Sequence, residues 1–135
     1  MASLRREFRV DAHPDAVWDT VRDFGAVHER LANGFVTACA MEEDGAVRRI
    51  RFANGIEARE RLVTCDDPQR RLVYCVKGGR ATHYNASVEV VADGAGSRFV
   101  WVVDLSPDAL APAVGGMMDA GVQAMQATLQ RLAAE

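Results

Sequence analysis

Glu60 occupies a position where a charged side chain has no ordinary reason to be. In the stretch IEARERLVTC, residues 56–65, strand alternation puts Ile56, Ala58, Glu60, Leu62 and Thr64 on one side and Glu57, Arg59, Arg61, Val63 and Cys65 on the other. The first side is the more apolar, so it is the side expected to face a core. A carboxylate buried there alone is costly, so it must take up a proton or find a partner. A carboxyl withdrawn from water is also a group that can donate or accept protons in general acid–base chemistry.

A partner stands on the preceding stretch, VRRIRFANG, residues 47–55. A three-residue loop over Ala53–Gly55, with Gly55 left-handed, pairs Phe52 with Ile56, Ile50 with Ala58 and Arg48 with Glu60. Directly opposed residues point to one face, so Ile50, Phe52, Ile56, Ala58 and Leu62 turn inward together and Arg48 comes to face Glu60. A two-residue Asn54–Gly55 turn would instead pair Arg51 with Ala58 and bury arginines, which the apolar pattern disfavours. Replacing a buried ion pair by apolar residues is often neutral or stabilising, so stability alone is a poor reason for the pair. A solvated cavity that accepts a ligand is a better one. The alternative is a pair at the open end of the sheet, in water, worth little.

Tyr74 and Tyr84 also fall on inward positions. Their hydroxyls can orient a carbonyl or phenol while Glu60 takes or gives a proton; equally, they can be core tyrosines with one satisfied hydroxyl. No histidine pair shows metal-ligand spacing, and His13 before Pro14 reads as a helix start, so neither a metal nor a cofactor is expected. His83 has the opposite parity to Tyr84 and should point outward.

These residues need a scaffold, and 135 residues suffice for one domain with a single core. With 49% hydrophobic and 26% charged residues, the balance is that of an ordinary globular protein. The net charge of −3 argues against a nucleic-acid partner. No apolar run suits membrane insertion and none follows the N-terminal charges as a signal would, so a cytoplasmic protein is expected. In that compartment the three cysteines, Cys39, Cys65 and Cys75, are expected as thiols.

Along the chain, strands are predicted at 4–12, 35–43, 46–53, 56–65, 71–77, 82–92 and 97–105, separated by EDGA, ANG, DDPQ, KGGR and DGAGS turns. HPDAVWDTVRDF and AVHERLA are two short helices after the first strand. PDALAPAVGGMMDAGVQAMQATLQRLAAE is one long helix, with Val114, Met118, Gly121, Met125, Thr128 and Leu132 on one face and Met117, Val122 and Leu129 beside it. Gly115 and Gly116 should delay its regular part. Short links between consecutive strands make an antiparallel meander, and the long helix must bury its face against it. Thr37, Cys39, Ala58 and Ala86 on the strands, and Gly121 and Ala124 on the helix, are small, which means either close packing or a void between the two layers.

The strand, the DAHPDAVW entry to the first helix at Asp11–Trp18, the Asp23–Phe24 exit, Glu60–Arg61–Leu62 with Asp66–Asp67, and Gly78–Gly79 with His83–Tyr84 carry a resemblance over nearly the whole chain. In that order and spacing they resemble the START/Bet v 1-like superfamily, in its polyketide cyclase/dehydrase branch. The resemblance implies an α+β helix-grip fold: a seven-stranded curved antiparallel sheet around a long C-terminal helix, with two short helices after the first strand and a ligand cavity between. It is also similar, at a distance, to the plant abscisic acid receptors, which places Glu60, Tyr74, Tyr84 and Arg48 on pocket positions. Thr37 stands where those receptors carry a lysine, and the gate and latch segments are cut down to ANG and GGRATHY, so the hormone is not the expected ligand.

The expected function is binding of a small hydrophobic or polyketide-like molecule, with cyclase or dehydrase chemistry as an extension. The expected cavity wall comprises Arg48, Glu60, Tyr74, Tyr84, Thr37, Ile50, Phe52, Ala58, Leu62, Trp101, Met118, Gly121, Val122 and Met125. The competing reading is a packed scaffold that acts through its surface, without an interior ligand. Cavity volume separates the two.

Overall fold

A computed structural model describes residues 1–134. Seven strands, β1 (Ala2–Val10), β2 (Val36–Glu42), β3 (Val47–Phe52), β4 (Glu57–Asp66), β5 (Arg71–Val76), β6 (His83–Asp93) and β7 (Gly96–Ser106), form one antiparallel sheet. Its order is β1-β7-β6-β5-β4-β3-β2. Consecutive strands from β2 to β7 are neighbours, as short turns require, and β1 closes on β7.

The helix α1 (Pro14–Arg22) starts where His13 caps it, its Nδ1 accepting from the Asp15 amide. Proline at the first turn needs no amide partner, and Val17, Trp18 and Val21 are buried on one stripe. The indole Nε1 of Trp18 donates to Asp67 Oδ1 at 2.8 Å, which ties α1 to the β4–β5 turn. The second short helix is not α-helical: a 3-10 turn at Phe24–Ala26 runs into a π-helical turn at Val27–Leu31. Val27 and Leu31, at its two ends, are both buried.

The long helix α2 (Ala111–Gln130) lies across the concave face of the sheet and buries Gly115, Met118, Gly121, Met125 and Leu129. Gly115 and Gly116 do not delay it: the helix is regular from Ala111, because Gly115 is packed beside Arg6 of β1. The Arg6 Nε to Asp119 Oδ1 contact of 2.6 Å holds the two elements together.

The β3–β4 loop has the expected three-residue form. Gly55 is left-handed at φ +88°, the Phe52 amide donates to the Ile56 carbonyl at 2.8 Å, and Ile50 stands opposite Ala58 and Arg48 opposite Glu60. Two expectations about side-chain direction fail. Ile56 is 56% exposed, because β4 begins only at Glu57 and the chain at 56 still follows the turn. A bulge between Leu62 and Thr64 then reverses the alternation, so Thr64 is exposed and Cys65 turns inward opposite Leu72. Cys75 lies opposite Arg61, away from Cys65, and all three cysteines are free thiols.

Candidate functional site

Arg48 and Glu60 meet inside the sheet. The Arg48 Nε donates to Glu60 Oε1 at 2.8 Å, and Nη2 lies 2.7 Å from the same oxygen. Each side chain is only 7% exposed. The third guanidinium nitrogen, Nη1, donates to the Phe24 carbonyl at 3.2 Å. The guanidinium carbon sits 4.0 Å from the centroid of the Phe24 ring and 5.2 Å from that of Tyr74, so aromatic faces replace part of its lost hydration. The arginine is thus held by the glutamate, a carbonyl and two rings. Both short contacts to the carboxylate fall on Oε1, and no arginine hydrogen bond reaches Oε2.

The carboxylate lines a cavity of about 190 Å³ between the sheet and α2. Arg48, Ile50, Phe52, Ala58, Glu60, Tyr74, Tyr84 and Trp101 form much of its sheet wall, and Met118 and Met125 part of its helix wall. These ten belong to the wall expected from the sequence. The partly exposed members Phe35, Phe52, Ala58, Val76, Tyr84, Val114 and Met117 mark the side nearest solvent. There the β3–β4 loop touches the start of α2, with Asn54 Nδ2 3.5 Å from the Met117 sulfur, and the rings of Phe35 and Phe52 lie 5.2 Å apart.

Both tyrosines are held in the neutral form. Burial pushes the Tyr74 phenol well above its usual range, and the nearby Glu60 charge adds to the effect; burial and Glu60 likewise raise Tyr84. Glu60 acts on both through its field and not through a hydrogen bond. The buried Trp101 Nε1 lies near the Tyr74 hydroxyl, where it offsets a small part of that upward shift without making a well-formed hydrogen bond.

The seven-stranded sheet, the buried pair and the hollow under the long helix are the setting in which the similarity of this chain to known proteins is informative. A family model described as polyketide cyclase / dehydrase and lipid transport matches residues 1–135. The chain belongs to that family. A solution structure of a protein from Thermobifida fusca is 31% identical, with 98% of this chain and 95% of that one aligned at a TM-score of 0.77. A START superfamily protein from Mycobacterium smegmatis is 14% identical and shares the fold at a TM-score of 0.77 over 96% of this chain and 98% of that one. Norcoclaurine synthase from Thalictrum flavum, solved as a point mutant with a transition-state analogue, aligns at 18% identity and a TM-score of 0.70 over 96% and 94% of the two chains. At such identities the last two show the fold alone. No curated protein matches the sequence significantly.

Within this polyketide cyclase/dehydrase family member, four expected wall residues lie off the cavity. Thr37 is exposed because a bulge between Val36 and Ala38 turns it out, where its hydroxyl donates to the Arg51 carbonyl at 3.2 Å. Leu62 packs against the core at the bulged end of β4 instead of reaching the cavity. Gly121 is covered by Trp101 and Phe35, and Val122, half-buried, lies on the flank of the helix. The sequence reading did not pick out Val27, Leu31, Ala32 and Phe35, which line the cavity from the irregular turn and the segment after it, although the i, i+4 spacing of Val27 and Leu31 is a helical-face signal that could have found those two. Leu72, Val76 and Val88 share the parity of Tyr74 and Tyr84, so the alternation that found the tyrosines could have found them too.

Proposed function

We propose that this protein binds a small, mostly apolar molecule with one or two oxygen functions in the cavity between sheet and helix, with Glu60, held by Arg48, as the polar anchor. The observation that carries the reading is a buried, fully countered ion pair on the wall of an otherwise apolar hollow. Such a pair is a poor device for stability and a good one for orienting a guest. An apolar cavity of roughly 150 Å³ suffices for benzene, so about 190 Å³ suits a guest of one or two rings or a short chain. The flexible side chains of Met117, Met118 and Met125 let the helix wall adapt to more than one shape. The hollow counts against the packed-scaffold alternative.

The test is a thermal-shift screen with naphthols, tetralones, short fatty acids and aromatic acids. A ligand at one hundred times its Kd stabilises the folded state by about 2.7 kcal/mol, a shift of several degrees. If no compound moves the midpoint, the binding reading fails.

Proton transfer is a second use of the same geometry, favoured by the Glu60 oxygen that Arg48 leaves free. The carboxylate can take a proton from the carbon beside a ligand carbonyl while a tyrosine hydroxyl hydrogen-bonds the enolate oxygen that forms. The fold by itself implies no such activity. Deuterium exchange at the α-carbons of 2-tetralone should then be faster with the protein and revert to the uncatalysed rate with Glu60→Gln. Without acceleration by the wild type, the protein is a binder only.

A further inference from the structure

Resting on the cavity-binding reading, we infer that the site selects a neutral guest carrying a hydroxyl donor, a phenol or enol, and rejects carboxylate anions. The polar inventory of the wall points this way. Arg48 is the wall's cation, and each of its three nitrogens already has a partner: Nε and Nη2 at Glu60 Oε1, and Nη1 at the Phe24 carbonyl, which leaves one N–H on each Nη without a partner among the described residues. The Phe24 and Tyr74 rings pack against it. A ligand carboxylate would compete with Glu60 for a guanidinium whose paired edge is already taken, and it would set a second negative charge beside Glu60 in an apolar space.

The group left open is an acceptor. Glu60 Oε2 takes neither of the two arginine contacts, and neither tyrosine hydroxyl donates to it. A donor O–H on the guest completes that oxygen's coordination with a charge-assisted hydrogen bond. Because the pair is neutral overall, a neutral guest brings no uncompensated charge into the cavity, whereas an ammonium or a carboxylate does. The tyrosine hydroxyls, held protonated, remain able to donate to a second oxygen of the guest.

The experiment compares three probes of one shape, naphthalene, 2-naphthol and 2-naphthoate, by calorimetric titration against the intact protein at neutral pH. The expected result is 2-naphthol binding at least tenfold more tightly than naphthalene, with 2-naphthoate weaker than both. Naphthoate binding as tightly as naphthol, or naphthol no tighter than naphthalene, overturns the inference while leaving the cavity reading intact. Binding of none of the three overturns both. In Glu60→Gln the guanidinium is freed, so the order should invert in favour of naphthoate. Because that variant leaves Arg48 uncompensated, Arg48→Met/Glu60→Gln is measured alongside: with both charges gone, naphthol should lose its advantage over naphthalene. Retention of the full tenfold advantage in the folded double variant would show that the pair is not the selecting element.

Discussion

Gly121 of α2 lies directly against Trp101 of β7: a methyl group added there would sit 3.1 Å from Cζ3 of the indole and 3.2 Å from the Phe35 ring. The helix can approach the sheet this closely at one point only because the residue has no side chain, and the hollow opens beside that contact. Alanine normally improves a helix interior by up to about 1 kcal/mol over glycine, but overpacking costs roughly 1–3 kcal/mol. Gly121→Ala should therefore lower the urea midpoint, whereas Gly116→Ala, with nothing within 4 Å of the new methyl, should raise it by the equivalent of about 0.5–1 kcal/mol. Equal effects of the two would mean that the helix does not press on Trp101.

Breaking the buried pair from one side should be severe. Arg48→Ala strands the Glu60 carboxylate and is expected to cost roughly 3–5 kcal/mol in denaturant unfolding. Arg48→Met/Glu60→Leu, which removes both charges and keeps the volume, should fall near wild-type stability or above it. A double variant as unstable as Arg48→Ala would show that the pair holds the fold together and is not there for a ligand.

Ala58 and Ala86 both face inward, yet only Ala58 lines the cavity, while Ala86 is completely buried opposite Tyr74 and Val103. Ala58→Leu should fill part of the hollow, abolish binding of a two-ring probe and change stability by less than about 1 kcal/mol. Ala86→Leu has no space to enter and should cost roughly 1–3 kcal/mol. Comparable destabilisation by both would mean that the space beside Ala58 is not available to a guest.

The only tyrosines of the chain are Tyr74 and Tyr84, so phenolate absorbance reports on the site without background. Both are raised above the ordinary value of 10.0, so above that pH the unfolded chain releases protons that the native one retains. Stability should be unaffected by these groups below pH 10 and should fall as the pH climbs from there toward the raised native values. Absorbance should accordingly show no phenolate until the alkaline unfolding transition. Glu60→Gln removes the repelling charge and should lower the native phenol values, though not to the ordinary one, because burial is the larger cause, so these groups' alkaline loss of stability should be smaller in that variant. A smooth titration near pH 10 in the folded protein would place the hydroxyls in bulk water.

Strand alternation and a single turn were enough to read the Arg48–Glu60 contact. Once Gly55 takes the left-handed turn, every rung back to Arg48 follows, because apolar residues must share a face. Alternation stops being a guide where a strand gains a residue. At Thr37 and between Leu62 and Thr64 a bulge reverses the direction of everything beyond it, and nothing in those residue types announces it. Val27 and Leu31, four residues apart, share a face by helical spacing, but nothing local says that this face looks onto the cavity.

The sequence by itself determined the order of the elements, the sheet's inner face and the two charged residues that must meet upon it, since each of these depends on neighbours a few positions apart along the chain or across one turn. Only the tertiary structure decided that the space above Glu60 is hollow and that one carboxylate oxygen is left uncommitted. A void is the difference between the volume that a curved sheet and its helix enclose and the volume their side chains fill. That difference depends on bulges, on the close approach of Gly121 to Trp101 and on rotamers from six strands at once, and no local pattern of residues encodes it.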